Sequence, residues 1–169
     1  MDAGVSELRP PSLLALPSYL AGNVARIGHR LLFDALSEHD LRLVHFAILS
    51  ALRDFGPLAQ YELADRLAVQ RSHLVGYLDE IEGRGLVVRE RDPVDRRRQR
   101  VALTRSGCGL LRPLQEVAQR SQAEFLEALT ETERETLIGL LHRILQADDA
   151  KHAPGALHPG QPEEWAARS

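Results

Sequence analysis

The stretch from residue 60 to residue 103 constrains the fold more than any other part of the chain. It has the pattern of a short helix, the turn Ala68-Val69-Gln70, a longer helix that stops at Gly85, and a β-hairpin. Glycine at that position is typical of the left-handed residue that ends a helix. Two short β-type runs, Leu86-Val87-Val88 and Val101-Ala102-Leu103, flank the turn signal Asp92-Pro93-Val94-Asp95. This order predicts a winged helix-turn-helix.

Amphipathic helices are predicted on both sides of this lobe. Apolar residues recur at helical spacing between residues 12 and 36, and a second helix follows from about Asp40 to Phe55. After the hairpin, Thr104 is a good N-cap for a long helix that starts at Arg105 and contains Pro113. The capping-box sequence at residues 130–133 opens the last helix.

The expected fold is therefore mainly α with a small β-hairpin wing. The predicted organisation is an irregular leader at 1–11, dimerisation helices at 12–36 and 105–146, the winged helix-turn-helix lobe at 37–104, and a disordered tail at 151–169. The outer helices are assigned to dimerisation because their apolar stripes need a covering surface, and a second subunit would supply one.

The composition is that of a globular protein in a reducing compartment. Hydrophobic residues make up 44% and charged residues 27% of the 169 residues. No apolar run approaches the length of a membrane span, and no basic segment followed by an apolar run marks a signal peptide. Cys108 is the single cysteine, so no internal disulfide can form. We expect a cytoplasmic protein.

The charge is distributed unevenly along the chain. The formal net charge is −3, but the stretch from Arg84 to Arg105 holds eight arginines against three acidic residues. A phosphate backbone responds to such a local positive stripe and not to the average charge of the protein. The stretch therefore favours a nucleic-acid partner.

The second helix of the motif, from about Arg71 to Arg84, has one apolar stripe. This stripe, which we expect to face the core, consists of Leu74, Tyr77, Leu78 and Ile81. The opposite face presents Arg71, Ser72, His73, Val75, Gly76 and Glu80. A helix fits the major groove of DNA, and its N-terminal residues normally reach the base edges. We predict that Arg71, Ser72, His73, Val75 and Gly76 form this contact; the alternative is an ordinary solvated helix face.

The tip of the hairpin carries the consecutive arginines Arg96, Arg97 and Arg98. In an extended hairpin their side chains alternate in direction, so only some of them can pair within the fold. Asp95 can accept a hydrogen bond from Arg97 and hold its guanidinium in one orientation. Arg96, Arg98 and Arg100 are assigned to phosphate contacts, which set affinity and salt dependence. The alternative is a solvated charge run on a mobile loop.

Several segments, in the right order, resemble the MarR (multiple antibiotic resistance regulator) family. Residues 63–72 resemble the family's entry to the helix-turn-helix, and residues 81–87 resemble the exit of its recognition helix. The wing is similar to the family pattern D-x-R-x(5)-L-T, with Asp95, Arg97, Leu103 and Thr104 at the fixed positions. The resemblance covers about residues 17–146. Ala59, where relatives have a Ser or Thr cap, and Gly76, where they often have Arg, depart from the pattern.

The resemblance implies a homodimeric regulator of transcription. Its two recognition helices would lie about one turn apart on a palindromic double-stranded DNA operator, and Arg97 would enter the minor groove. It also implies repression, and release by a small aromatic or phenolic effector bound beside the dimerisation helices. Candidate ligand-binding residues are Tyr19, Asn23 and Arg26 on the first helix and His45 on the second. The alternative is that Tyr19 and His45 are packing residues and Arg26 a surface charge.

Other functions have weaker support in the sequence. No phosphate-binding glycine loop, nucleophile elbow or tight His/Cys/carboxylate cluster is present, so no enzyme, no cofactor and no metal site is expected. A sensor of oxidants through Cys108, or of metal through His29, His39, His45 and His142, remains an alternative. So does a winged helix that binds protein instead of DNA.

Overall fold

The computed structural model describes residues 8–92 and 99–151 of the chain. In these ranges the helices are α1 (Pro11–Leu14), α2 (Pro17–Ser37), α3 (Leu43–Phe55), α4 (Gln60–Arg66), α5 (Arg71–Gly83), α6 (Arg105–Phe125) and α7 (Glu131–Lys151). The strands are β1 (Leu58–Ala59), β2 (Val87–Arg91) and β3 (Gln99–Leu103). The prediction of a mainly α fold with a small hairpin wing is confirmed. Asp95, Arg96, Arg97 and Arg98, most of the predicted leader and nearly all of the predicted tail lie outside the described residues.

The chain divides into two compact units, Met1–Gln122 and Ala123–Ser169. The first unit contains the helix-turn-helix and the wing. Its core consists of large apolar side chains from these elements and from the helices that flank them. The most deeply buried are Leu36, Leu41, Ile48, Leu49, Leu63, Leu74, Leu78, Ile81, Val87, Val101, Leu111 and Leu114.

The first predicted helix differs from the observed one at its start. Instead of one helix from residue 12, a short α1 is followed by a break at Ala15 and Leu16, and α2 begins at Pro17. A residue before proline is pushed out of the helical region, whereas proline itself suits the first helical position. Leu16 accordingly has an extended conformation, with φ −97° and ψ 112°.

The second predicted helix starts three residues later than expected, at Leu43 instead of Asp40. Asp40 lies in the left-handed region with φ 54°, and the Leu41 amide donates to the Leu36 carbonyl across 3.3 Å. This is the hydrogen bond of a Schellman C-terminus. Residues 38–42, which we call the α2–α3 corner, therefore end α2 before α3 can begin.

A three-stranded antiparallel sheet, with the order β1-β3-β2, forms the wing and its base. The hairpin strands extend further than the two apolar runs predicted, since Arg91 pairs with Gln99 at the outer end. Strand β1, in which Leu58 pairs with Val101, was not predicted from the sequence. Two residues give too short a pattern for alternation to be recognised.

Helix α5, the wing and α6 meet at the peptide carbonyl of Leu86. Gly85, with φ 68°, ends α5, and the Leu86 amide donates to the Ile81 carbonyl at 2.9 Å. The Leu86 carbonyl accepts the Thr104 amide at 3.1 Å, and the Thr104 hydroxyl caps α6 by accepting the Gly107 amide at 3.0 Å. The predicted roles of Gly85 and Thr104 at these helix ends are confirmed.

The second unit contains α7, which opens with the predicted capping box. The Glu133 carboxylate accepts the Thr130 amide at 2.8 Å, and the Thr130 hydroxyl accepts the Glu133 amide at 3.4 Å. The structure describes every residue of α7, and none of them is buried. Its exposed large apolar side chains are Ile138, Leu140, Leu141, Ile144 and Leu145. Along the described parts of the chain, no helix combines the length and the apolar character that a membrane span requires.

Replacing Gly107 with alanine should destabilise the fold by about 1–3 kcal/mol, because the core there has no room for a methyl group. A Cβ at this position would lie 2.1 Å from the Leu86 carbonyl oxygen, which is backbone and already hydrogen-bonded. Gly109→Ala in the same helix is the matched control, since its Cβ would meet nothing within 4 Å. Gly109→Ala should raise the free energy of unfolding, by no more than about 1 kcal/mol, because alanine favours the helix over glycine. Urea unfolding measures both; equal midpoints would contradict the close approach.

Candidate nucleic-acid interface

Helix α5, the predicted recognition helix, separates its N-terminal residues into a buried and an exposed face as its sequence pattern predicts. Leu74, Leu78 and Ile81 are buried, and Tyr77 is half-buried beside them. The five predicted contact residues of its N-terminal half, Arg71, Ser72, His73, Val75 and Gly76, are all exposed. A Cβ at Gly76 would meet nothing within 4 Å, so packing does not require glycine there and the helix backbone is open to approach. The structure thus brings these residues together at one end of α5.

Arg71 is oriented by neighbours on α4. Its guanidinium lies 3.4 Å from a carboxylate oxygen of Asp65 and 5.9 Å from the centre of the Tyr61 ring, while 62% of its side chain is exposed. An open cleft of about 680 Å³ lies between α4, α5 and the wing base. Its lining residues are Ala59, Gln60, Tyr61, Arg71, Leu74, Val75 and Gln99. Three of these residues, Gln60, Tyr61 and Gln99, were not predicted from the sequence, because a polar or aromatic residue on a short helix or strand gives no periodic signal.

The departure at Ala59 does not leave the start of α4 uncapped. Glu62 reaches back one turn, and its carboxylate accepts the Ala59 amide at 2.8 Å. This is the half of a capping box that needs no Ser or Thr. Its acidic charge also suits the positive end of the helix dipole.

Arg100 is engaged at the base of the wing. Its guanidinium lies 3.6 Å from the Asp92 carboxylate and donates to the carbonyl of Pro57, which precedes β1. About a third of the side chain is exposed. These contacts give Arg100 a part in joining β3 to the chain before β1. Its assignment to a phosphate contact stays a prediction.

Arg89 joins the wing to α5, a role that was not predicted from the sequence. Its guanidinium lies 2.6 Å from carboxylate oxygens of both Asp79 and Glu82, and donates to the Val75 carbonyl at 3.3 Å. Its backbone amide donates to Glu82 at 2.9 Å, and only 17% of the side chain is exposed. The sequence does contain a pattern that could have indicated this contact: two acids lie three residues apart on α5, and an arginine follows in the next strand.

A second set of contacts joins α5 to the α2–α3 corner. One guanidinium nitrogen of Arg42 donates to both carboxylate oxygens of Glu80, and the guanidinium carbon lies 5.0 Å from the centre of the Tyr77 ring. This hydrogen bond to Arg42 lowers the pKa of Glu80 from its ordinary value of 4.5. Arg84 donates to the carbonyls of Asp40 at 2.6 Å and His39 at 3.1 Å. The carboxylate of Glu80 is thus directed to the corner.

His45 is buried beneath this second set of contacts, with 4% of its side chain exposed. Its Nδ1 accepts the Arg42 amide at 3.3 Å, and its Nε2 lies 3.2 Å from Glu80, off the line of a well-directed hydrogen bond. Burial, and after it the charge of Arg42, lower the pKa of His45 to about 4. These contacts fit the packing alternative for His45. Its assignment to an effector site stays a prediction.

The three other candidate ligand residues share one side of α2. The Asn23 side-chain amide donates to the Tyr19 carbonyl at 2.8 Å, and its oxygen accepts a hydrogen bond from Arg26. Tyr19 and Asn23 are half-buried and Arg26 is exposed.

Cys108 is exposed in the first turn of α6. Over residues 8–92 and 99–151, the search for three or more clustered metal-ligating side chains finds none.

Comparison with known proteins identifies the family. The MarR family model matches residues 41–98. The chain is 34% identical over 103 residues to a Thauera aromatica protein named for transcriptional regulation of the hcr operon, covering 61% of this chain and 62% of that protein. It is 34% identical over 112 residues to the HTH-type transcriptional repressor NicR of Pseudomonas putida, covering 66% of this chain and 71% of NicR.

The fold agrees with these matches. A cysteine-to-serine mutant of MarR from E. coli, solved in complex with operator DNA, superposes with a TM-score of 0.70 at 28% identity, covering 86% of this chain and 99% of that one. Proteins of the MarR family are regulators of transcription and not enzymes. The chain belongs to the MarR family.

The buried His45 should make the free energy of unfolding depend on pH between its ordinary pKa of 6.5 and its lowered pKa of about 4. Its pKa is about 4 in the folded protein, against an ordinary value of 6.5, so the unfolded chain binds the extra proton between these values. The contribution of His45 to the free energy of unfolding should therefore be fully present above pH 6.5. It should be lost as the pH drops toward 4, with a slope of at most about 1.4 kcal/mol per pH unit. Arg42, Arg84 and Glu80 are the charged groups that act on it.

His45→Asn should remove this part of the pH dependence, because the amide does not titrate. The pKa of Glu80 is lowered, so its own contribution is present above pH 4.5 and is lost only below it, outside most of the His45 window. Urea unfolding at intervals from pH 7.5 to about pH 4.5, for the wild type and the variant, measures the difference. Parallel curves for the two proteins in this range would show that His45 is not held neutral.

Proposed function

We propose that this MarR-family regulator binds duplex DNA in a sequence-specific manner through α5 and the wing. The observation that carries the proposal is the separation of α5 into a buried apolar stripe and an exposed N-terminal half. That half holds a cation, hydroxyl and imidazole donors, an apolar side chain and an open glycine, which together can read the base edges of a major groove. Residues Arg71, Ser72, His73, Val75 and Gly76 are assigned this role.

The tip of the wing is assigned to the neighbouring minor groove and the flanking phosphates. Asp95 would orient Arg97, and Arg97 would enter a narrow groove, where the negative potential is concentrated. Arg96, Arg98 and Arg100 would contact phosphates and set the salt dependence of binding. The support for these roles is the resemblance of the wing to the family pattern and the position of β2 and β3 directly after the recognition helix.

The protein is proposed to act as a homodimer on a palindromic operator. Large apolar side chains are exposed on two helices outside the winged lobe, and such surfaces are typical of protein interfaces. On α2 these are Leu20, Val24, Ile27 and Phe33, and on α7 they are Ile138, Leu140, Leu141, Ile144 and Leu145. A two-fold dimer would place two recognition helices on half-sites about one DNA turn apart.

Repression in the cytoplasm, relieved by a small aromatic or phenolic effector, completes the proposal. The name of NicR as a repressor supports the sign of regulation. The side of α2 that carries Tyr19, Asn23 and Arg26 offers an aromatic ring, an amide and a cation, which suit an aromatic anion. An effector acts only if its affinity differs between the DNA-binding conformation and another one.

Arg97→Ala should weaken DNA binding by about 1–3 kcal/mol and reduce the salt slope by about 1, because one cation leaves the interface. The measurement is a fluorescence-anisotropy titration at several salt concentrations, on the duplex that the wild type enriches from a randomised pool. Arg112→Ala is the matched control, since its side chain is 88% exposed on α6 and contacts Glu116 at 3.7 Å. Equal affinities for the two variants, with the dimer intact in both, would contradict the role given to the wing.

A further inference from the structure

One side of the recognition helix is held to the α2–α3 corner along its whole C-terminal half. Tyr77, Glu80 and Arg84, which directly follows the last residue of α5, are three and four residues apart, so their side chains lie on one side of the helix. All three contact the corner: Arg42 binds Glu80 and lies over Tyr77, and Arg84 donates to two corner carbonyls. The corner is itself fixed, because the Leu41 side chain is buried and its amide closes the end of α2.

The other side of the same half is held to the wing by Arg89. Its guanidinium contacts Asp79 and Glu82 at 2.6 Å each. The C-terminal half of α5 is therefore fixed by arginines on two flanks, while the N-terminal half carries the exposed residues proposed to reach DNA. The orientation of the N-terminal half therefore depends on where the two flanks hold the helix.

Glu80 has a position that its sequence pattern does not explain. The helical pattern places it on the outward face with Ser72 and Gly76, where an acidic group would repel DNA phosphates. In the structure its carboxylate accepts both hydrogen bonds from Arg42 and lies 3.2 Å from Nε2 of His45. It is thus turned toward the corner and its charge is compensated within the protein.

We propose that Glu80 is a positioning residue for DNA recognition: through Arg42 it sets the orientation of α5 against the α2–α3 corner, and it makes no contact with DNA. The inference rests on the proposed function, because it concerns the same recognition helix. Glu80 and Arg42 would thus affect the specificity of binding only through the orientation of α5, and neither of them would read a base. The ion pair is only partly buried, with side-chain exposures of 33% for Arg42 and 49% for Glu80.

Removing the pair should leave the protein folded, since partly exposed ion pairs contribute little to the free energy of unfolding. A change in the orientation of α5 would instead weaken base contacts, which need fixed geometry, and leave phosphate contacts largely intact. The two possible roles of Glu80 also differ in sign. As a mere acidic surface charge it opposes binding, so its removal would tighten binding to every duplex.

The test compares two duplexes, the one that the wild type enriches from a randomised pool and a scrambled version of it. Glu80→Gln should lower affinity for the enriched duplex about fivefold and leave affinity for the scrambled duplex equal or higher, with an unchanged salt slope. Arg42→Gln should lower the ratio of the two affinities to a similar extent, although it removes a positive charge and should therefore weaken binding to both duplexes. The double variant, whose net charge equals that of the wild type, should lose no more of the ratio than either single variant, because both substitutions remove one interaction. Glu90→Gln, which removes an exposed acid from β2, is the charge-matched control. It should raise both affinities by a similar factor and keep their ratio.

Thermal unfolding of each variant and stoichiometric titration of its active fraction accompany these measurements. A Glu80→Gln variant whose ratio of affinities equals that of Glu90→Gln would overturn the inference and leave the proposed function standing. Equal losses on both duplexes, together with a lowered Tm, would also overturn it, by showing a role in stability alone. If the wild type enriches no duplex, the proposed function fails, and this inference fails with it.

Discussion

The peptide carbonyl of Leu86 is the point on which the winged lobe depends. It accepts the Thr104 amide at 3.1 Å, and the backbone of Gly107 packs so closely on it that no side chain fits between them. Since Leu86 follows the end of α5 and Thr104 begins α6, this one group fixes the exit of the recognition helix, the base of the hairpin and the start of the next helix. Any larger residue at position 107 would have to displace this carbonyl, because its Cβ would lie 2.1 Å from the oxygen.

From this junction outward, the position of the recognition helix is set by charged side chains as well as by the core. The apolar stripe of Leu74, Leu78 and Ile81 holds one face of α5, but a hydrophobic contact is not directional and does not by itself fix rotation. The guanidinium groups of Arg42 and Arg89 supply directed contacts on the two flanks. Most of the acidic charge on α5 is thereby compensated inside the lobe, which leaves the N-terminal half suited to an anionic partner.

The sequence predicts best those features whose causes lie within a few residues. Gly85 and Thr104 end and begin helices through bonds to near neighbours, so their residue types alone are informative. The ion pairs of Arg42 and Arg89 depend on which elements pack together, and an arginine-rich chain offers many possible partners for each acid. The same reason explains His45, whose ring is buried in a contact between α3 and α5 that no local pattern reveals.

The central claim is that two subunits lay their recognition helices in successive major grooves of one duplex. A hydroxyl-radical footprint of the wild-type protein on the enriched duplex tests it most directly. The account predicts two protected patches related by two-fold symmetry, with centres about 34 Å apart along the helix axis, and a flanking protected minor groove beside each. A single unpaired patch, or protection that does not depend on sequence, would contradict it.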